Sequence, residues 1–134
     1  MDNIAAYIKI AGGAACSVFT FVWGGLDAAL AVLLWMMALD YLTGVLAACY
    51  THTVSSEVGY RGILRKVAIL AMIALAHLVG GAVELPEIRA FVIGFYIANE
   101  AISIAENAGH MGVKLPKRLL DVLAQLRDGN GGAL

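Results

Sequence analysis

The sequence predicts an all-α integral membrane protein with three to four transmembrane helices and a short amphipathic C-terminal helix. Three observations predict it. Of 134 residues, 61% are hydrophobic and 14% charged, whereas soluble domains are about a quarter charged. The apolar residues gather into four long runs, close to the roughly 20 residues that a spanning helix needs. The charges fall mostly between those runs. Mean hydropathy is +0.83, so lipid is the expected solvent for much of the chain. A net charge of −1 gives no global pull toward nucleic acid. Cys16 and Cys49 each sit in an apolar run and read as buried free thiols. No CxxC or Cys/His cluster points to a metal, and no cofactor is expected.

The first run, about residues 10–26, is uncharged and rich in Gly and Ala. Two readings stand for it. If it spans, Lys9 and the amino terminus are inside and Gly24–Asp27 forms a tight outer turn. If it does not, it lies on the outer interface or re-enters, and three spans remain with the amino terminus outside. Gly12, Gly13, Gly24 and Gly25 lower helix propensity and permit close helix packing. "AAC" at Ala14–Cys16 resembles a lipoprotein cleavage site only faintly. The apolar stretch before it is shorter than the ~7–15 residues of a signal region, so the mature chain is expected to begin near Met1.

The second run, about 28–51, is broken only by Asp40, inside "MALDYLTGVLAACY". Thr43 can bond the carboxyl or the backbone. Gly44 and Ala48 are spaced for close helix approach. Asp40 can pair with Arg65 or Lys66 only if those side chains reach up from the inner end; structural registration is its favoured role. Next, "SSEVGYRGILRK" reads as a basic loop turning into a helix. Ser55 or Ser56 can cap it, and Glu57 favours a helix start. Arg61, Arg65 and Lys66 read as basic residues at the membrane edge. The third run, about 64–83, holds His77, read as a packed hydrogen-bonding residue. Glu84, Glu87 and Arg89 follow. Short basic loops stay cytoplasmic, so 51–66 and the C-terminal tail belong inside and 84–89 outside.

The fourth run, about 88–108, contains "FYIANEAISIAEN". Helical spacing puts Asn99, Ser103, Glu106, Asn107 and His110 on one face, with Glu100 beside them. A charge at the centre of a spanning helix costs at least ~2.5–3.5 kcal/mol, so Glu100 needs a partner, a polar cavity or water. Together with Asp40, this stripe is the candidate pore-lining or intramembrane polar site. The membrane domain is therefore 1–108, and 109–134 is a basic amphipathic tail. Gly109 and Gly112 end the fourth helix, and Pro116 suits the first turn of the next. Leu119, Leu120, Leu123 and Leu126 then recur with helical spacing opposite Lys117, Arg118, Asp121 and Gln125. That helix either lies on the inner leaflet or pairs with a copy of itself, and 128–134 is a flexible end. No catalytic constellation appears, so no enzyme is expected.

Three of these stretches together resemble the toxin-secretion/phage-lysis holin family: "LDYLTGVLAA", "SSEVGYRGILRK" and "FYIANEAISIAENAGHMGVKLPKRL". The likeness runs from about residue 30 to residue 127. One departure is Val79-Gly80-Gly81, where relatives often carry an acidic residue. The resemblance implies a multi-pass protein of the bacterial cytoplasmic membrane with its C-terminus in the cytoplasm. It implies homo-oligomers that open lesions, through which an endolysin or a toxin leaves without required direct contact. Partners are then the lipid bilayer and further copies of the chain. Two other classes fit the residues: a small proton- or cation-coupled transporter using Glu100 or Asp40, and a lysis regulator that forms no hole.

Overall fold

The computed structural model describes residues 2–130. Met1 and 131–134, the end of the expected flexible tail, lie outside the described residues. Five helices follow one another: α1 (Asp2–Trp23), α2 (Ala28–Tyr50), α3 (Ser56–Ala82), α4 (Glu87–His110) and α5 (Lys117–Asn130). The first four are long and apolar enough to cross a bilayer. The fold is all-helical among the described residues, and this is a membrane protein.

Several boundaries differ from the sequence reading. The first segment is one continuous helix that begins at Asp2 and stops at Trp23. Its glycines divide into two roles. Gly12 and Gly13 sit inside the helix, while Gly24 and Gly25 take positive φ (79° and 90°) and make the turn into α2. The segment 51–66 is mostly helix rather than loop. Ser55 caps α3 by accepting from the Val58 amide at 3.1 Å, so Arg61, Arg65 and Lys66 all lie within α3. Residues 128–130, expected to be flexible, complete α5.

The helix ends share one device. In a Schellman cap the amide two residues past the C-cap closes a 6→1 bond, with the residue between in the left-handed region. Thr53 closes on Ala48 (2.9 Å), Leu85 on Gly80 (2.8 Å) and Val113 on Ala108 (3.0 Å). The left-handed residues are His52 (φ 56°), Glu84 (φ 59°) and Gly112 (φ 77°). Gly112 was legible as a stop signal; the other two are not glycine and carry no such signal. Gly109, the other expected stop, remains inside α4.

The connections are short, so consecutive helices alternate in direction. α2 and α4 run parallel and form the closest pair, α3 packs antiparallel against both, and α1 packs mainly against α3. Leu30, Leu33, Met37, Ile69, Ile73 and Ile93 make the buried core, edged by Phe19, Trp23, Leu34, Leu70, Val92, Tyr96 and Ile97. The core fills the half of the bundle nearest the α1–α2 and α3–α4 turns. Most other large apolar side chains face outward, including Trp35 (72% exposed) and Phe91 (77%). In water such a surface would aggregate; in lipid it costs nothing. Cys16 and Cys49 are also exposed, not buried as expected, because each falls on an outward face of its helix.

Candidate functional site

Charged residues of α2, α3 and α4 meet in one layer. Asp40 precedes the end of α2 by about ten residues, Glu100 the end of α4 by about ten, and Lys66 follows the start of α3 by about ten. At 1.5 Å per residue each lies ~15 Å from the same end of the bundle. There the Lys66 Nζ donates to Asp40 Oδ2 at 2.7 Å and to Glu100 Oε2 at 2.6 Å. Glu100 is 4% exposed. One ammonium therefore joins three helices by bridging two carboxylates, an arrangement that a low-dielectric site tolerates only when each charge is paired.

Asn107 joins the layer from about two turns further along α4. Its Nδ2 donates to Asp40 Oδ1 (3.2 Å), to the Asp40 carbonyl (3.3 Å) and to Thr43 Oγ1 (3.0 Å). The Thr43 hydroxyl in turn donates to the Asp40 carbonyl at 3.1 Å. Gly44 lies beside it: a Cβ there would stand 3.5 Å from the Asn107 amide nitrogen, an ordinary van der Waals contact. Gly44 thus faces α4 of the same chain. Ala48 lines the neighbouring groove.

The expected polar stripe of α4 divides. Glu100 and Asn107 turn into the bundle, and Ser103 borders grooves on both sides of the layer. Asn99 lines the groove between α3 and α4. Glu106 is exposed and borders a cleft toward α5. Within one chain the stripe is an interhelical contact first. Lys66 departs from the membrane-edge position expected of it, because two carboxylates at its own depth capture its ammonium. Arg65, next to it, is exposed and edges the α3–α4 groove. Arg61 pairs with Glu57 at 2.6 Å on the exposed first turns of α3. Such a surface pair contributes little.

A cavity of about 190 Å³ opens between α2 and α3, walled by Tyr41, Val45, Val54 and Val58 and floored by Asp40, Lys66 and Asn107. A second, of about 320 Å³, lies between α3 and α4 beside Arg65, Asn99 and Glu100. The ionic layer stands between the two. No group of three or more His, Cys, Asp or Glu side chains gathers to hold a metal among the described residues.

α5 folds back so that Leu120, Leu123 and Ala124 meet Ile102 and Ala105 of α4 across a cleft. Neither expected role, leaflet binding or self-pairing, describes that contact. Lys117 and Arg118 remain exposed at its start.

A second polar cluster holds the opposite end, and the sequence reading missed it. Arg89, from the first turn of α4, donates to the Trp23 carbonyl (2.7 Å), the Gly25 carbonyl (3.1 Å) and Asp27 (2.5 Å). Asp27 also caps α2 by accepting from the Leu30 amide at 2.9 Å. The Arg89 hydrogen bond, then the Leu30 amide, hold the Asp27 carboxyl below its ordinary range. The Trp23 indole donates to the Leu70 carbonyl at 3.0 Å. Gly24 is required here: a Cβ would stand 2.8 Å from His77 Nδ1 and 2.9 Å from Arg89 Nε. An Arg among acids at a short turn was the available signal.

Residues 17–128 match the sequence model of the bacteriophage holin family. The chain is 37% identical to an uncharacterised 14.9 kDa protein in the nagH 3' region of Clostridium perfringens, over 96% of this chain and 98% of that one. It is 39% identical to an uncharacterised protein of Halalkalibacterium halodurans (91% and 95% covered) and 40% identical to one of Listeria innocua (80% and 77%). No solved structure matches.

Proposed function

We propose that this chain, which belongs to the bacteriophage holin family, accumulates in the bacterial cytoplasmic membrane and assembles there into lesions that release an endolysin or a toxin. The observation that carries the reading is the family match over residues 17–128, which takes in α2, α3, α4 and most of α5. The architecture supports it. One chain satisfies the deep charges of α2, α3 and α4 internally through the Asp40–Lys66–Glu100 layer, so protomers build up in the bilayer with those carboxylates paired. Almost every other face is apolar and free to meet lipid or a further copy. The role is non-enzymatic and needs no cofactor. Partners are lipid and the chain itself, and the released enzyme requires no direct contact.

The basic residues Arg61, Arg65, Lys117 and Arg118 gather at the end of the bundle that holds the 51–55 connection and α5. By the positive-inside rule that end is cytoplasmic, and the Arg89 cluster faces out. Both termini are then inside.

Grooves on either side of a buried ionic layer favour a second reading, cation- or proton-coupled transport through Glu100 or Asp40. One experiment separates the two. The chain is expressed in bacteria beside a cytoplasmic endolysin that has no export route of its own, with a control lacking endolysin. Abrupt, endolysin-dependent clearing with enzyme in the medium is expected of lesions. Depolarisation with the endolysin retained would sink the lesion reading in favour of transport, and an intact membrane potential would leave a regulator that forms no hole.

A further inference from the structure

Lys9 is the one charged residue between Asn3 and Trp23. It is exposed, on a helix that packs against the rest of the chain only near Phe19 and Trp23. None of the described ion pairs includes it. Its helical neighbours are small: Ala5 and Ala6 one turn before, Gly12 and Gly13 one turn after, Cys16 beyond. A Cβ at Gly12 or Gly13 would meet nothing within 4 Å. Lys9 thus sits at the centre of a low face that another helix can approach closely.

Lys9 also lies near the ionic layer in depth. It precedes the end of α1 by about 14 residues, or ~21 Å. Lys66 precedes the end of α3 by about 16 residues, or ~24 Å. The turn after α1 is pinned beside His77, about 11 residues or ~16 Å from Lys66, which puts Lys9 about one helical turn to the inner side of Lys66. The layer holds two carboxylates and one ammonium, so it carries a surplus negative charge. The α2–α3 cavity opens onto that layer through apolar walls and has Asp40 on its floor.

We propose that α1 of one copy docks across the α2–α3 groove of a second copy and places the Lys9 ammonium against the surplus carboxylate charge of its Asp40–Lys66–Glu100 layer. The partner is a second copy because it supplies a cation at the right depth, on a small-residue face, in the same membrane orientation. A lysine side chain fits the cavity, and the helix behind it covers the mouth formed by Tyr41, Val45 and Val58. The contact joins two different surfaces of the chain, so wherever it is not reciprocated within a pair it propagates from copy to copy and builds rings or open arrays. The inference rests on the self-assembly part of the function proposed above and specifies its interface.

The test uses the full chain in phospholipid bilayers. Association is read by energy transfer between two labelled populations. Lys9→Met is expected to weaken association roughly tenfold, within the range of interhelical polar contacts in membranes, and Lys9→Arg to retain it. In a Cys16→Ala, Cys49→Ala background, copies carrying Ala5→Cys are mixed with copies carrying Val58→Cys. Both positions lie on the inner side of the layer, and a crosslink between the two populations is expected. If the wild-type chain associates but Lys9→Met associates equally, or the crosslink is absent, the interface is wrong and the lysis reading stands. If the wild-type chain stays monomeric, both fall.

Discussion

Replacing Lys66 by Met removes the one cation that joins α2, α3 and α4 while keeping an unbranched side chain of similar length. Two contacts go, at 2.7 Å to Asp40 and 2.6 Å to Glu100. The Lys66, Asp40 and Glu100 side chains are only 15%, 17% and 5% exposed, so solvent screens little of the loss. Breaking a buried ion pair from one side costs about 3–5 kcal/mol, because the partner charge is stranded. Asp40 keeps its Asn107 amide, which favours the lower end, about 3 kcal/mol. The assay is detergent-driven unfolding of the reconstituted protein, followed by the fluorescence of Trp23, whose indole bonds Leu70 on α3. Adding Glu100→Gln to Lys66→Met should recover part of the loss, since the double change leaves no stranded charge there. That recovery is the coupling a double-mutant cycle measures. A Lys66→Met protein as stable as wild type, within about 0.5 kcal/mol, would refute the reasoning. The layer would then be hydrated, and the lysine would not be what holds the three helices together.

Three further outcomes follow from the turns. Glu84 holds a left-handed conformation at the end of α3, so Glu84→Gly should stabilise the protein by about 1 kcal/mol, measured by the same unfolding titration. Gly24→Ala adds a Cβ within 3 Å of His77 and Arg89. It should loosen the Arg89 clamp and speed proteolysis of the α1–α2 turn relative to wild type. Asp27→Asn keeps a side-chain acceptor for the α2 cap but removes the ion pair to Arg89. The folded state holds Asp27 below its ordinary range, so the pair stabilises the fold above the carboxyl's ordinary value and is lost as pH falls through the lowered one. Asp27→Asn should therefore be less stable than wild type at neutral pH, and the gap should close in acid; a gap independent of pH would disprove the ion-pair assignment.

The sequence by itself determined the helices and their solvent. Four apolar runs with charges between them are a local pattern, and an α-helix is held by bonds from each residue to one only four positions away. Ser55 as a cap and Gly112 as a stop were legible for the same reason. The caps at His52 and Glu84 were not, because their left-handed backbone follows from how the next helix packs rather than from a glycine. Asp40 and Glu100 were legible as anomalies, since a charge in an apolar run is conspicuous wherever it points. Their partner was not: Lys66 is 26 residues from one and 34 from the other, and it sits in a stretch that reads as a membrane edge. Which lysine or arginine turns inward depends on helix rotation and on the short connections that make α2 and α4 parallel neighbours. The same holds for Arg89, which reaches Asp27 from 62 residues away, and for α5, whose leucines found α4. Periodicity fixes which face of a helix is apolar or polar. Only the assembled bundle fixes what that face meets, because pairing is decided by depth and rotation among segments that share no local signal.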